Sequence, residues 1–157
     1  MSIFPTKIVL ATDGSTQAQL AARSAADLAQ KTNSELHVVH VFGIAPVGPP
    51  VYAEGTQLQS VEFEHERDQE QRISEQRARE VLEEQVKKVL SLGATVAGEH
   101  LIEGRVAPAI VGLAEQIGAG LIVMGSRGLG GIRRALMGSV SEMVVRHAHC
   151  PVLVVRD

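Results

Sequence analysis

The chain has 157 residues and a formal net charge of −3, long enough for one domain with a buried core and too acidic for a nucleic-acid surface. Three Phe, one Tyr and no Trp leave few platforms on which exposed bases could stack. The one cysteine, Cys150, excludes an intrachain disulfide and fits a reducing cytoplasm.

Residues 7–12, Lys-Ile-Val-Leu-Ala-Thr, form an apolar run that ends in Asp13-Gly14-Ser15, which reads as a strand followed by a turn and a helix cap. The next helix, residues 15–31, carries Ala18, Ala21, Ala22, Ala25 and Ala29, small residues that permit close packing on a sheet; Ser15 or Asp13 can cap it. Residues 35–41 are nearly continuous in apolar side chains, as in strands covered on both faces. His37 and His40 lie three apart on that strand, so they point to opposite faces and cannot share a ligand.

Residues 43–55 hold three prolines and three glycines; a loop of this length is either a binding loop or disordered, and it is expected to order on ligand binding. A long helix is predicted over residues 57–92, burying Ala78, Val81, Leu82, Val86, Val89 and Leu90. Its charged first half, residues 64–72, is expected to project into solvent. A third strand is predicted over 95–102. A helix starting at Pro108 buries Ile110, Leu113, Ala114 and Ile117. A fourth strand covers 121–124, and a helix from about Ser139 turns Val140, Met143, Val144 and His147 inward. Residues 152–155 close the series as a fifth strand. Alternation of this kind implies a parallel sheet with helices on both faces, within one domain spanning 1–157. No apolar run approaches the ~20 residues of a membrane span. The opening residues lack the charged start and apolar core of a secretory leader. A cytoplasmic protein is expected, with neither membrane nor nucleic acid as partner.

The chemistry is concentrated in Gly125-Ser-Arg-Gly128-Leu-Gly-Gly-Ile-Arg-Arg-Ala-Leu-Met-Gly138-Ser139-Val-Ser141. Glycines stand where the fourth strand ends, and Gly-Ser stands where the last helix begins. Both places expose backbone N–H groups, and the helix start adds its positive dipole end, which together suit a phosphate. A Walker A loop is excluded because no lysine stands at the required place. A dinucleotide fingerprint is excluded because the glycines follow the fourth strand and not the first. His147-x-His149-Cys150 hints at a metal, but no fourth ligand is near in sequence, so no metal site is expected.

The spacing Gly125-x2-Gly128-x9-Gly138-Ser139, with residues 7–15, 36–41, 121–128 and 150–155 around it, resembles the ATP-binding signature of the universal stress protein family over the whole chain. Gly120 departs from the pattern, standing where many members carry an acidic residue. The resemblance implies a five-stranded parallel sheet of order 3-2-1-4-5, like the adenine nucleotide alpha hydrolases. It implies that Gly125, Gly128, Gly138, Ser139, Val140 and Ser141 hold the phosphates. Asp13, with Ala11 and Thr12 beside it, would meet ribose and phosphates, and Val41 the adenine. Ser139 and Ser141 could also serve only as helix caps. Arg127, Arg133 and Arg134 are candidate phosphate contacts, and Arg127 is counted with the site. ATP, with Mg2+ offsetting its charge against Asp13, is the expected ligand, serving to regulate. A slow ATPase or nucleotidyl-transfer enzyme, and an interaction module with an empty site, stand as alternatives. No general base is evident, so no catalytic residue is assigned. In that strand order the apolar residues 152–155 form a bare sheet edge, which predicts a homodimer paired through the last strand.

Overall fold

The computed structural model describes residues 2–43, 57–128 and 137–157, with side chains from 64 onward in the second stretch. The predicted binding loop at 43–55 and the arginines at 133 and 134 fall almost wholly outside them. The described elements are β1 (Lys7–Ala11), α1 (Thr16–Thr32), β2 (Glu35–Phe42), α2 (Gln57–Ser91), β3 (Gly98–Glu103), α3 (Val106–Ile117), β4 (Leu121–Gly125), α4 (Ser139–His147) and β5 (Val152–Val155). The strands form one sheet of order β3-β2-β1-β4-β5, and every pairing is parallel.

Because side chains alternate along a strand, each strand feeds two cores. Ile8 and Leu10 of β1, Leu36 and Val38 of β2, and Leu121 and Val123 of β4 face α1 and α2, where they meet Ala21, Ala25, Leu82, Val86 and Val89. Val9, Ala11, Val39, Val41, Ile122 and Met124 face the other way, toward Ile110, Leu113 and Ala114 of α3 and Val144 of α4. The continuous apolar runs of the sequence are thus strands buried on both sides. The five alanines named for α1 are all buried. They let the helix approach the sheet closely.

Four local readings need correction. The third strand begins at Gly98 and not at 95; the chain joins the sheet through Ala97 N–H to Leu36 O at 2.8 Å. The third helix starts at Val106, so Pro108 sits inside its first turn, where a missing N–H costs nothing. On α2, Leu90 is 50% exposed while Gln85 is 2% exposed. On α4 the inward residues are Ser141 and Val144, whereas Met143 and His147 are exposed. The apolar-period reading had no means of admitting a serine to the buried stripe. The charged first half of α2 is exposed as expected, from Glu64 to Ile73.

Candidate functional site

Sheet winding reverses between β1 and β4, and the crevice beyond the carboxyl ends of strands at such a point is where ligands bind in open α/β sheets. A cavity of about 460 Å3 lies there. All eleven residues counted with the site from the sequence line it: Ala11, Thr12, Asp13, Val41, Gly125, Arg127, Gly128, Gly138, Ser139, Val140 and Ser141. Sequence reasoning missed its apolar wall, formed by Val39, Val106, Ile110 and Met124, and it missed Ser126. The wall residues looked like ordinary core.

The turn after β1 is built from its own polar atoms. Asp13 Oδ1 accepts from Ser15 N–H at 2.9 Å, and Ser15 Oγ caps α1 by accepting from Ala18 N–H at 3.2 Å. Ser15 is therefore the cap, and Asp13 closes the turn before it. Gly14 has φ +79°, a left-handed conformation that favours glycine. From the sheet below, His40 Nδ1 donates to Thr12 O at 2.7 Å and fixes the end of β1. Asp13 is the only carboxylate lining the cavity among the described residues.

At the opposite lip, Gly138 occupies the N-cap position of α4 without a side-chain cap. Its N–H donates to Ser126 O at 2.6 Å. The N–H groups of Ser139, Val140 and Ser141 begin the helix, where no intrahelical acceptor exists for them. Among the described residues no hydrogen bond donated by them is found. The Ser141 hydroxyl is turned inward: it is buried and donates toward Ser126 O at 2.8 Å or Gly138 O at 3.0 Å. Ser141 therefore offers the cavity its backbone N–H, while its hydroxyl ties the loop together. Arg127 lines the cavity with its side chain 27% exposed, its guanidinium 3.9 Å from Asp157 Oδ1.

The three glycines stand where the protein's own packing leaves little room for a side chain, least of all at Gly125. A Cβ on Gly125 would stand 2.8 Å from Gln17 Cβ and 2.9 Å from the Gln17 carbonyl carbon. One on Gly128 would collide with Asp13 Oδ2, and one on Gly138 would press Ser126 O at 3.2 Å. Gly120, the departure from the family pattern, has the same kind of cause: a Cβ there would run into the Thr6 side chain.

The His147, His149 and Cys150 group does not converge. His147 Nδ1 meets Met143 O at 2.9 Å, and His149 Nε2 meets Ala119 O at 3.1 Å. Burial pushes the Cys150 thiol up, which keeps it protonated at neutral pH. Among the described residues no cluster of three or more metal-ligating side chains occurs, and no helix is long and apolar enough to cross a membrane.

The model of the universal stress protein family matches residues 5–156. The chain belongs to the universal stress protein family. Its similarity to a universal stress protein of Methanocaldococcus jannaschii is 38% identity over 151 residues, covering 96% of this chain and 81% of the archaeal one. It spans about half, 48%, of the mycobacterial universal stress proteins it matches. Among solved structures, a universal stress protein from Lactobacillus plantarum superposes with a TM-score of 0.77 at 25% identity, over 98% of this chain and 99% of that one. A universal stress protein in complex with cAMP gives 0.66 at 26% identity, over 98% of each chain. One from Archaeoglobus fulgidus in complex with dAMP gives 0.61 at 25% identity, over 99% of this chain and 100% of that one.

Proposed function

We propose that this universal stress protein binds an adenine nucleotide, ATP with Mg2+, and uses it as a regulatory ligand. The observation that carries the reading is the two-ended character of the cavity. One end is apolar, walled by Val39, Val41, Val106, Ile110 and Met124, and suits a flat base. The other end presents the helix start at Ser139, Val140 and Ser141 beside Gly125 and Gly128, and suits phosphate oxygens. Universal stress proteins of this fold in complex with cAMP and with dAMP support the same ligand class.

Asp13, the carboxylate at the polar end, fits a Mg2+ held chiefly by phosphate oxygens and water, the usual manner for this ion. The metal would offset the repulsion between that carboxylate and a triphosphate. The chain's own residues would hold and orient the nucleotide. Among the described residues, none besides Asp13 is placed as an acid or base for its hydrolysis, which favours the regulatory role over an ATPase. We further propose that two copies pair through β5, the sheet edge.

The test is nucleotide carried through purification, identified by mass spectrometry, followed by calorimetry with Mg-ATP on the stripped protein. Intact ATP, with rebinding in calorimetry, is expected. ADP or AMP alone would favour turnover, and no bound nucleotide together with no heat of binding would sink the reading.

A further inference from the structure

Ser126 is fully buried and yet borders the cavity. Each of its polar groups goes to a different element. Its N–H donates to Val155 O of β5 at 2.9 Å. Its carbonyl accepts from Gly138 N–H at the start of α4, and from the Ser141 hydroxyl. Its hydroxyl donates to Gln17 Oε1, in the first turn of α1, at 2.8 Å. The Gln17 amide then donates onward to Asp157 Oδ1 at 2.9 Å. Gly125, by lacking a Cβ, lets β4 come close enough to Gln17 for this bond to form.

The backbone bonds of Ser126 would form with any residue at that position. The hydroxyl bond would not. It is a side-chain tie between the two lips of the polar end: the Asp13 turn, which leads directly into α1, and the glycine loop, which leaves β4. A buried hydroxyl with no partner is costly, so the pair Ser126–Gln17 acts as a unit. Phosphates lying between the lips depend on their separation. A base in the apolar end does not.

We propose that Ser126 and Gln17 are positioning residues for the phosphates, fixing the spacing between the Asp13 turn and the glycine loop. The proposal rests on the nucleotide-binding reading above. Neither residue need touch the ligand for this effect, because loss of pre-set geometry weakens binding by itself.

Calorimetry and ligand-observed NMR on wild type, Ser126→Ala and Gln17→Met, each with ATP and with adenosine, test it. Loss of the tie is expected to weaken ATP by about tenfold in either variant, the scale of one hydrogen bond. Adenosine affinity is expected to stay unchanged, and the double variant should lose no more than either single one. Equal ATP binding in wild type and variants would overturn the proposal while leaving the nucleotide reading intact. Parallel loss of ATP and adenosine would also overturn it, since that marks a general structural role. Wild type binding neither ligand would remove the nucleotide reading itself. Should Ser126→Ala fail to fold, Gln17→Met carries the same comparison from a half-buried position on α1.

Discussion

Gly138 has φ −75° and ψ 163°, an extended conformation open to any residue. Space, not backbone strain, limits what can stand there, since a Cβ would press against Ser126 O at 3.2 Å. Gly138→Val is therefore expected to fold, with a stability loss of about 1–3 kcal/mol from overpacking. Its branched side chain would also crowd the helix start that faces the cavity, so ATP binding should disappear from calorimetry while the far-ultraviolet circular dichroism stays that of the parent. ATP binding at parental affinity would remove the phosphate assignment. The spacing of these glycines was readable in the sequence because a strand end and a helix start mark the two places where backbone donors are exposed. Why glycine stands there was not readable. The missing Cβ atoms at Gly125 and Gly128 face Gln17 and Asp13, which lie far away in the chain. Gln17 and Ser126 stayed invisible for the same reason: each is an ordinary polar residue until the fold joins them.

At the scale of elements, α2 shows how a periodic pattern can be right in phase and wrong in content. Ala78, Leu82, Gln85, Val86 and Val89 form its buried stripe, spaced as one helical face. Gln85 occupies an apolar slot, and its Oε1 is buried without a hydrogen-bond partner among the described residues. Gln85→Met keeps the length and removes the unpaired amide oxygen. It is expected to stabilise by about 1 kcal/mol, raising Tm by roughly 2–4 °C; an unchanged or lower Tm in calorimetric scans would show that the amide is satisfied in solution. The β2–β3 pair holds a second polar feature. Gly98 is the register partner of His37, and over its bare Cα the rings of His37 and His100 stack, with Nδ1 and Nε2 3.1 Å apart. Glu35 Oε2 lies 3.5 Å from His37 Nε2. A Cβ on Gly98 would sit 2.5 Å from His37 Nδ1. Gly98 thus makes room for the pair within the strand. Burial first, and then the charge of His37, hold His100 below its ordinary value of 6.5. The unfolded chain thus takes up this proton at a higher pH than the folded one. Stability on this account is complete above pH 6.5 and falls as pH drops through the lower folded value. Thermal melts between pH 7.5 and 5 should show that decline, and His100→Gln should flatten it. An identical decline in the variant would place its source elsewhere.

For the molecule as a whole, the order β3-β2-β1-β4-β5 does two things at once. It reverses the winding between β1 and β4, which opens the cavity, and it leaves β5 at the margin of the sheet. Alternation of strands and helices made the parallel sheet legible from sequence, but strand order depends on which crossovers go left or right of β1, and only the family resemblance supplied it. Strand β5 is short and wholly apolar, and Leu153 is 37% exposed. Val155 O accepts from Ser126 N–H and Pro151 O from Ile122 N–H, so residues 151 and 155 turn their backbone groups toward β4. With a period of two along a strand, Val154 turns its N–H and C=O outward. An outward row of donors and acceptors on an apolar strand is a template for a second strand. Pairing with the same strand of another copy, antiparallel about a two-fold axis, would satisfy both rows. Val154→Pro tests this with little damage inside the subunit, because it deletes an outward N–H and leaves the bonds to β4 in place. Wild type is expected to sediment as a dimer at micromolar concentration and Val154→Pro as a folded monomer. A monomeric wild type would end the proposal. A dimer that survives Val154→Pro but is split by charge reversal on the exposed half of α2 would move the interface from the sheet edge to that helix.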